Sequence, residues 1–202
     1  ASRLRTPADL HVLHHNRSLR PAVCSRALGL EPLLEAGADA DFPIPLAHSW
    51  PMEPDYDLLC QQLRALLSGE PNFIANAANC AAFIYYEVPD LNWAGFYFAQ
   101  ADGELVLGPF AGRPACTRLP SGRGVCGAAF TQGTTVVIDD VSTYSDHIVC
   151  DSASASEIVI PLLFGGERRG VFDIDSPTLA RFSAGDRVGL EALMGIFEET
   201  IG

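Results

Sequence analysis

With 202 residues, 48% of them apolar, the chain is long enough to bury the core of one domain, with or without an appendage. Its formal net charge of −12 argues against binding to nucleic acid, because phosphates are bound by clustered cations. No apolar run approaches the roughly 18 residues of a membrane span, and the N-terminus shows no secretory signal. We therefore expect a soluble, cytoplasmic protein that binds no membrane.

Residues 1–51 differ in composition from the rest, and we expect them to be a partly irregular N-terminal extension of unknown function. They hold six prolines and four of the five histidines, and only "ALGLEPLLEAG" is weakly helical. Such a composition is typical of irregular structure. Their arginines and acids balance, so the net charge belongs to residues 52–202, which we predict to be the compact domain.

Two amphipathic helices are predicted at the start of this domain. In "DYDLLCQQLRALLSGE" the leucines recur at helical spacing, with Asp55 placed to cap the start and Gly69 to end the helix. Pro71 suits the first turn of a second helix, "PNFIANAANCAAFIYYEV". Cys60 and Cys80 fall within these helices and are interpreted as small core residues.

Two apolar hairpins are predicted to form most of a sheet. "NWAGFYFAQADGELVLGPF" turns at Asp102-Gly103, and "SEIVIPLLFGGERRGVFDIDS" turns at Gly165-Gly166. "TTVVIDDV" predicts one more strand. "RPACTRLPSGRGVCGAAFTQG" predicts a strand end, a glycine-rich turn and a brief helix.

The end of the chain completes the predicted fold. Residues 142–155 show little periodicity and are predicted to be a loop. A last helix is predicted over "SAGDRVGLEALMGIFEET", where Ser183 and Asp186 have the spacing of an N-cap residue and its N3 partner. Hairpin-connected strands with helices before and after them indicate an α+β fold with a central, largely antiparallel sheet flanked by helices.

The sequence contains six cysteines, at positions 24, 60, 80, 116, 126 and 150. Disulfide frameworks are typical of short secreted chains, so we expect reduced thiols here. Cys116, Cys126 and Cys150 each lie beside glycine, proline, charge or loop rather than in an apolar run. Cys150, in "HIVCDSASASEIVIPL", can be an inert loop cysteine, a metal ligand or a nucleophile.

Three carboxylates are predicted to lie near Cys150. In "VFDIDS" the alternation directs Asp173 and Asp175 away from the apolar face of the strand. The hairpin partner strand can bring Glu157 to the same face. Such acids often form a solvated face, but carboxylates held close together retain a proton. The cluster can then act as a general acid, bind an ammonium group and raise the pKa of a neighbouring thiol.

A metal site is another interpretation of these residues. Cys116, Cys126, Cys150 and His147, the one histidine after residue 51, offer the thiolate and imidazole ligands that zinc takes. The chain has no CxxC or CxxH pair, and the spacings are not those of zinc knuckles. We therefore expect no metal site.

Four segments of the chain resemble the free methionine-(R)-sulfoxide reductases, a family of GAF-domain enzymes that reduce the sulfoxide of the free amino acid. These segments are "NWAGFYF", "LGPFAGRPACTRLPSGRGVCG", "HIVCDSASASEIVIPL" and "GVFDIDSPTLARFSAGD". The resemblance covers roughly residues 55–200, and three cysteines spaced by 10 and 24 residues match a pattern that signalling GAF domains lack. A GAF-like catalytic domain over residues 52–202 is what the resemblance implies.

The resemblance also implies the roles of individual residues. It implies that Cys150 is the catalytic cysteine, that Cys116 resolves the sulfenic acid of Cys150 as a disulfide, and that Cys126 is an accessory thiol. It further implies a substrate pocket formed by carboxylates and aromatic side chains, namely Trp93, Tyr97, Glu157, Asp173 and Asp175.

A reaction and its partners follow from the same resemblance. Cys150 attacks the sulfur of free methionine sulfoxide while a carboxylate protonates the oxygen, and thioredoxin reduces the resulting disulfide without a bound cofactor. Trp93 is expected to hold the methyl group, and backbone N–H groups of 122–127 or 151–154 the substrate carboxylate. A homodimer through the first helix and a monomer both stay open. A ligand-sensing GAF module without turnover is the rival function.

Overall fold

The computed structural model describes residues 54–201, which form four α-helices and six β-strands. The helices are α1 (Tyr56–Leu67), α2 (Phe73–Glu87), α3 (Gly124–Gln132) and α4 (Ala184–Glu199). The strands are β1 (Trp93–Ala99), β2 (Leu105–Gly112), β3 (Arg118–Leu119), β4 (Val136–Ile138), β5 (Ser156–Phe164) and β6 (Glu167–Ser176), and a 3-10 turn covers Val141–Thr143. Each helix in this part of the chain is too short or too polar to cross a membrane. The predicted extension, residues 1–51, lies outside the described residues.

Polar side chains determine where the helices begin. Asp55 accepts a backbone N–H of the first turn of α1, as predicted. The N-cap of α2 is Asn72, so Pro71 precedes the cap, and the prediction that it lies in the first turn is wrong. The amide oxygen of Asn72 satisfies a free N–H of the helix, which proline is unable to do. Ser183 and Asp186 form the predicted capping box at α4.

The six strands form one antiparallel sheet in the order β3-β2-β1-β6-β5-β4. The two predicted hairpins are β1–β2 and β5–β6, and Gly165 and Gly166 both adopt positive φ angles in the second turn. The predicted strand "TTVVIDDV" is shorter than expected, since only Val136–Ile138 pairs with β5. The fold is the predicted α+β class.

The two faces of the sheet carry separate apolar clusters. On one face, α1, α2 and α4 pack against strand residues that include Phe172 and Ile174. On the other face, the single helix α3 packs against residues such as Val159 and Val171. Because one short helix covers the second face only in part, this face leaves room for a cavity beside α3.

Candidate active site

A cavity lies between the start of α3, the loop that follows the 3-10 turn, and the ends of β5 and β6. It encloses about 30 Å³ in this conformation, which is room for only a few water molecules. A larger ligand therefore enters only when part of the wall moves. Its lining residues come from β3, from α3 and the residue before it, from the loop, and from β5 and β6: Leu119, Arg123, Gly124, Val125, Cys126, His147, Ile148, Cys150, Asp151, Ser154, Glu157, Asp173 and Asp175.

Three carboxylates form the sheet side of this cavity, as the alternation of β6 predicted. Asp173 and Asp175 point to the face opposite the large apolar cluster, and β5 places Glu157 directly across from Asp175. Glu157 is only 5% exposed and Asp173 only 8% exposed. Carboxyl groups this deeply buried are costly to ionise without paired cations.

Burial favours the protonated forms of all three acids in this cluster. Burial, and then repulsion from the two aspartates, raises the pKa of Glu157 well above its usual range. Burial also raises the pKa of Asp175, with repulsion from Asp173 adding to it and a hydrogen bond from Ser154 opposing it. Asp173 has a pKa raised to about 6 by burial, although hydrogen bonds from Glu157 and Cys126 favour its ionised form. The arrangement is therefore a buried proton store.

Cys150 and Cys116 are neighbouring free thiols at the edge of this cluster. Cys150 is half-buried and lines the cavity. Cys116 lies beside Cys150 but does not line the cavity. Burial, with the Cys116 thiol adding to it, raises the pKa of Cys150 to about 12. A backbone N–H of Cys116 opposes part of that rise. At neutral pH Cys150 is thus a protonated thiol, which reacts slowly with general oxidants.

Cys126 is the third thiol of the site and is more deeply placed. It lies in α3 at 5% exposure. Burial, and then the negative charge of the acidic cluster, raises its pKa well above the ordinary thiol value. One carboxylate oxygen each of Glu157 and Asp173 and the Cys126 sulfur all lie within 4.8 Å of one another.

Trp93 and Tyr97 do not line the cavity in this conformation but belong to the apolar cluster beside it. They are 2% and 1% exposed, and their rings stack with centroids 5.8 Å apart. The Trp93 Nε1–H donates to the Arg113 carbonyl at 3.0 Å, and the Tyr97 hydroxyl donates to the Cys116 carbonyl at 3.0 Å. Tyr97 therefore helps to position the segment that carries Cys116.

The loop that carries Cys150 is fastened at both ends by side-chain contacts that the sequence did not indicate. Asp146 accepts hydrogen bonds from Arg123 Nε at 2.7 Å and from the Gly124 N–H at 3.0 Å. At the other end, Asn92 Nδ2 donates to Ser154 Oγ at 3.0 Å. These partners are 22 to 62 positions apart in the chain, so no local pattern predicts them.

Internal acceptors already occupy some of the backbone N–H groups that were expected to hold the substrate carboxylate. Within 122–127, the N–H of Gly124 donates to Asp146. Within 151–154, the N–H of Ala153 donates to the Asp151 carboxylate at 2.9 Å. A ligand carboxylate at either place has to displace an internal one or use a neighbouring N–H.

His147 extends from the same loop toward the acidic cluster. Its Nε2 lies 3.8 Å from Glu157 Oε2. Burial lowers the pKa of His147, so the imidazole is neutral at neutral pH and does not offset the charge of the carboxylates.

Comparisons with known proteins agree with this architecture. A family profile described as GAF domain matches residues 80–201. Protein YtsP of Bacillus subtilis is 51% identical over 74% of this chain and 90% of its own length. The free methionine-R-sulfoxide reductase of Escherichia coli is 45% identical over 72% of this chain and 88% of its own.

A solved structure extends the comparison to three dimensions. The free methionine-R-sulfoxide reductase of Neisseria meningitidis, in complex with its substrate, matches with a TM-score of 0.70. The two chains are 44% identical, over 72% of this chain and 87% of that one. With these identities, this coverage and the matched domain profile, the chain belongs to the GAF-domain family of free methionine-(R)-sulfoxide reductases.

Proposed function

We propose that this protein reduces free L-methionine-(R)-sulfoxide to L-methionine, using Cys150 as the nucleophile, Cys116 as the resolving thiol and thioredoxin as the electron donor. One observation carries the proposal: the free Cys150 thiol lines a cavity with three carboxyl groups whose pKa values are raised, and it has a second free thiol beside it. A thiol, a proton donor and a resolving thiol are what sulfoxide reduction needs.

The acidic cluster suits both ends of a free amino acid sulfoxide. Ionised Asp173 attracts the substrate ammonium group, while protonated Glu157 or Asp175 donates a hydrogen bond to the sulfoxide oxygen. Trp93 and Tyr97 share an apolar cluster with the cavity residues Cys126 and Cys150, and we infer that an outward movement of the 144–154 loop would expose their rings to the methyl group. Peptide-bound methionine sulfoxide lacks the free ammonium group and is expected to bind poorly.

In the chemical step, the Cys150 sulfur attacks the sulfoxide sulfur as the S–O bond breaks. A carboxyl group of the cluster protonates the departing oxygen, and the thiol proton of Cys150 returns to the carboxylate. The released O–H group then attacks the Cys150 sulfur and breaks the transient bond between the two sulfur atoms, so that methionine leaves and Cys150 becomes a sulfenic acid. The thiol is thereby oxidised by the two electrons that reduce the sulfoxide. Because the pKa of Cys150 is raised, the thiol reacts only when proton transfer is arranged by bound substrate.

The Cys116 thiol then condenses with the sulfenic acid and releases water as a disulfide forms. Thioredoxin dithiol reduces this disulfide by exchange and becomes oxidised itself. The hydrogen-bonded contact between the two thiols places them within reach of each other before the reaction begins.

Single-turnover reduction of free methionine-(R)-sulfoxide by the pre-reduced protein tests the assignment. Cys150→Ser is expected to form no methionine. Cys116→Ser is expected to release about one equivalent and then to stop with thioredoxin as the only reductant. Cys60→Ser, at a partly buried position of α1 that does not line the cavity, is the matched control and should turn over normally. Methionine formation by Cys150→Ser would disprove the role of that thiol.

Substrate class is tested separately by comparing the (R) and (S) epimers of the free amino acid with a peptide-bound sulfoxide. Thioredoxin-coupled NADPH consumption is expected only with the free (R) epimer. Binding of a small molecule without any NADPH consumption would instead favour a sensory domain.

A further inference from the structure

We propose that Cys126, Glu157 and Asp173 form a binding site for a thiophilic divalent metal ion, Zn²⁺ foremost, and that the bound ion blocks the cavity. The metal site depends only on the geometry of these three residues. Its inhibitory effect rests on the proposed reductase function, and the two parts are tested by separate measurements.

The three candidate ligand atoms are already close to the spacing that a metal ion imposes. The Cys126 sulfur and one oxygen each of Glu157 and Asp173 lie within 4.8 Å of one another. Around a tetrahedral zinc ion, neighbouring sulfur and oxygen ligands are separated by roughly 3.3–3.6 Å, given the usual Zn–S and Zn–O bond lengths. Small side-chain rotations therefore suffice to close the site on an ion.

An unpartnered atom within the cluster is an independent observation in favour of a cation-binding site. Asp173 Oδ1 is buried and has no hydrogen-bond partner in the structure. An acceptor left unpaired in the interior is destabilising. A metal ion at the centre of the three ligands would bind the Asp173 carboxylate and give its unpaired oxygen a partner.

The charge around the site also favours a cation. The cavity is lined by four carboxyl-bearing residues, and the one arginine among its lining residues, Arg123, is already bonded to Asp146. The sequence contains no lysine. A divalent ion at this place would offset the negative charge that these buried acids carry when they ionise.

His147 lies near the site but outside the group of three ligand atoms within 4.8 Å of one another, so it would become a fourth ligand only with movement of its loop. Its Nε2 lies 3.8 Å from Glu157 Oε2, close to the separation of two adjacent ligands on one ion. His147 lies on the 144–154 loop, so a metal bound in this way would also hold the loop closed over the cavity.

The ligand set determines which metals bind. A thiolate together with carboxylates and an imidazole suits Zn²⁺, Cd²⁺ and Co²⁺, whereas Mg²⁺ and Ca²⁺ prefer oxygen ligands alone. Binding exchanges the Cys126 thiol proton for a metal–sulfur bond and releases that proton to solvent. Neither Cys116 nor Cys150 is used, so Cys126 acquires a role outside the thiol–disulfide cycle.

The metal site is tested by adding Co²⁺ to the fully reduced, full-length protein and recording the thiolate-to-cobalt charge-transfer band. Zn²⁺ affinity is then measured by competition with a chromophoric chelator. We expect one cysteine-ligated ion per chain. Cys126→Ser should abolish the charge-transfer band and weaken Zn²⁺ binding at least about 10-fold, since even outer-shell changes at metal sites cause losses of that size.

Two further variants keep this result interpretable. Glu157→Gln retains the shape of the side chain and should also weaken Zn²⁺ binding at least about 10-fold, while Cys60→Ser should leave it unchanged. Circular dichroism establishes that each variant is folded. A cobalt–thiolate band that persists in folded Cys126→Ser, or that is lost in Cys60→Ser, would overturn the proposed site.

Inhibition is measured with free methionine-(R)-sulfoxide as substrate. Zn²⁺ is expected to raise the apparent KM, to leave kcat unchanged and to be fully reversed by a chelator. Inhibition that substrate fails to relieve would overturn the blocking role. If no sulfoxide is reduced at all, the proposed function fails, whereas the cobalt spectrum still decides the metal site.

Discussion

Glu157, Asp173 and Asp175 form a group whose members depend on one another for their protonation states. Each is buried or partly buried; the two aspartates repel the ionised form of Glu157, and Asp173 repels that of Asp175. Asp173 accepts hydrogen bonds from Glu157 and Cys126, so it is the member that ionises first. The same asymmetry divides the proposed work, with Asp173 orienting the substrate and Glu157 or Asp175 donating the proton.

Amide substitutions test this division of roles. Glu157→Gln or Asp175→Asn should slow single-turnover methionine formation by about 100-fold or more, the usual size of a lost general acid. Asp173→Asn should mainly raise the substrate concentration needed for half-maximal rate. Glu167→Gln, an exposed position on the same strand, is the control. Single-turnover rates equal to that of the wild-type protein in all three site variants would exclude proton donation by any of the three residues.

The raised pKa of Asp173 also predicts how stability varies with pH. Burial holds this pKa near about 6 in the folded protein, above the ordinary value of 3.8. As the pH rises, Asp173 therefore ionises in the unfolded chain before it ionises in the folded protein. Its contribution to the free energy of unfolding is complete below about pH 4 and is lost as the pH rises through 6.

Between roughly pH 4 and 6, we expect the free energy of unfolding of the wild-type protein to fall by up to about 1.4 kcal/mol per pH unit relative to that of Asp173→Asn. Urea unfolding at a series of pH values measures this difference. Glu167→Gln should follow the wild-type curve. A difference between wild type and Asp173→Asn that is constant over this range would contradict the raised pKa.

At the scale of elements, the loop between the 3-10 turn and β5 carries Cys150 and forms one wall of the cavity. It is fastened to the start of α3 by Asp146 and to the segment before β1 by Asn92. The cavity behind it is too small for an amino acid until the loop moves. Gly124 has a φ angle of +69° and no side chain, so Ile148 can pack closely against it; a Cβ atom at position 124 would lie 3.3 Å from the Ile148 side chain.

Releasing one of these contacts should open the loop. Asp146→Ala removes the hydrogen bonds to Arg123 and Gly124, and we expect alkylation of Cys150 by iodoacetamide to become about two- to fivefold faster, since exposed ion pairs contribute modestly. Peptide mapping after timed labelling gives the rate. Asp139→Ala, an exposed position on the other side of the 3-10 turn, should have no effect. An unchanged rate in Asp146→Ala would show that this contact does not hold the loop.

For the whole molecule, periodicity and register could be predicted from the sequence, whereas long-range side-chain contacts could not. Alternation in "VFDIDS" and the turn at Gly165-Gly166 were enough to place Asp173, Asp175 and Glu157 together, because a hairpin determines its own register. The pairing of Asp146 with Arg123 and the burial of Trp93 depend on how α3 and the loops pack on the sheet, which local spacing does not encode.

The boundary of the functional unit gives a last prediction at this scale. In the described part of the chain, both apolar clusters are built from residues between Tyr56 and Ile201. We therefore expect residues 52–202 alone to fold cooperatively and to keep the kcat/KM of the full chain within about twofold. This factor corresponds to less than about 1 kcal/mol of transition-state stabilisation.

Removing α1 as well is the matched control for this deletion. Leu59, Leu63 and Leu67 are buried in the cluster that joins α1 to α4. Their loss removes roughly 5–9 kcal/mol of apolar burial, which is comparable to the whole stability of a typical domain of about 5–15 kcal/mol. A chain beginning at residue 70 should therefore show no cooperative thermal transition. Loss of folding in the chain beginning at residue 52 would instead show that residues 1–51 are part of the structural unit.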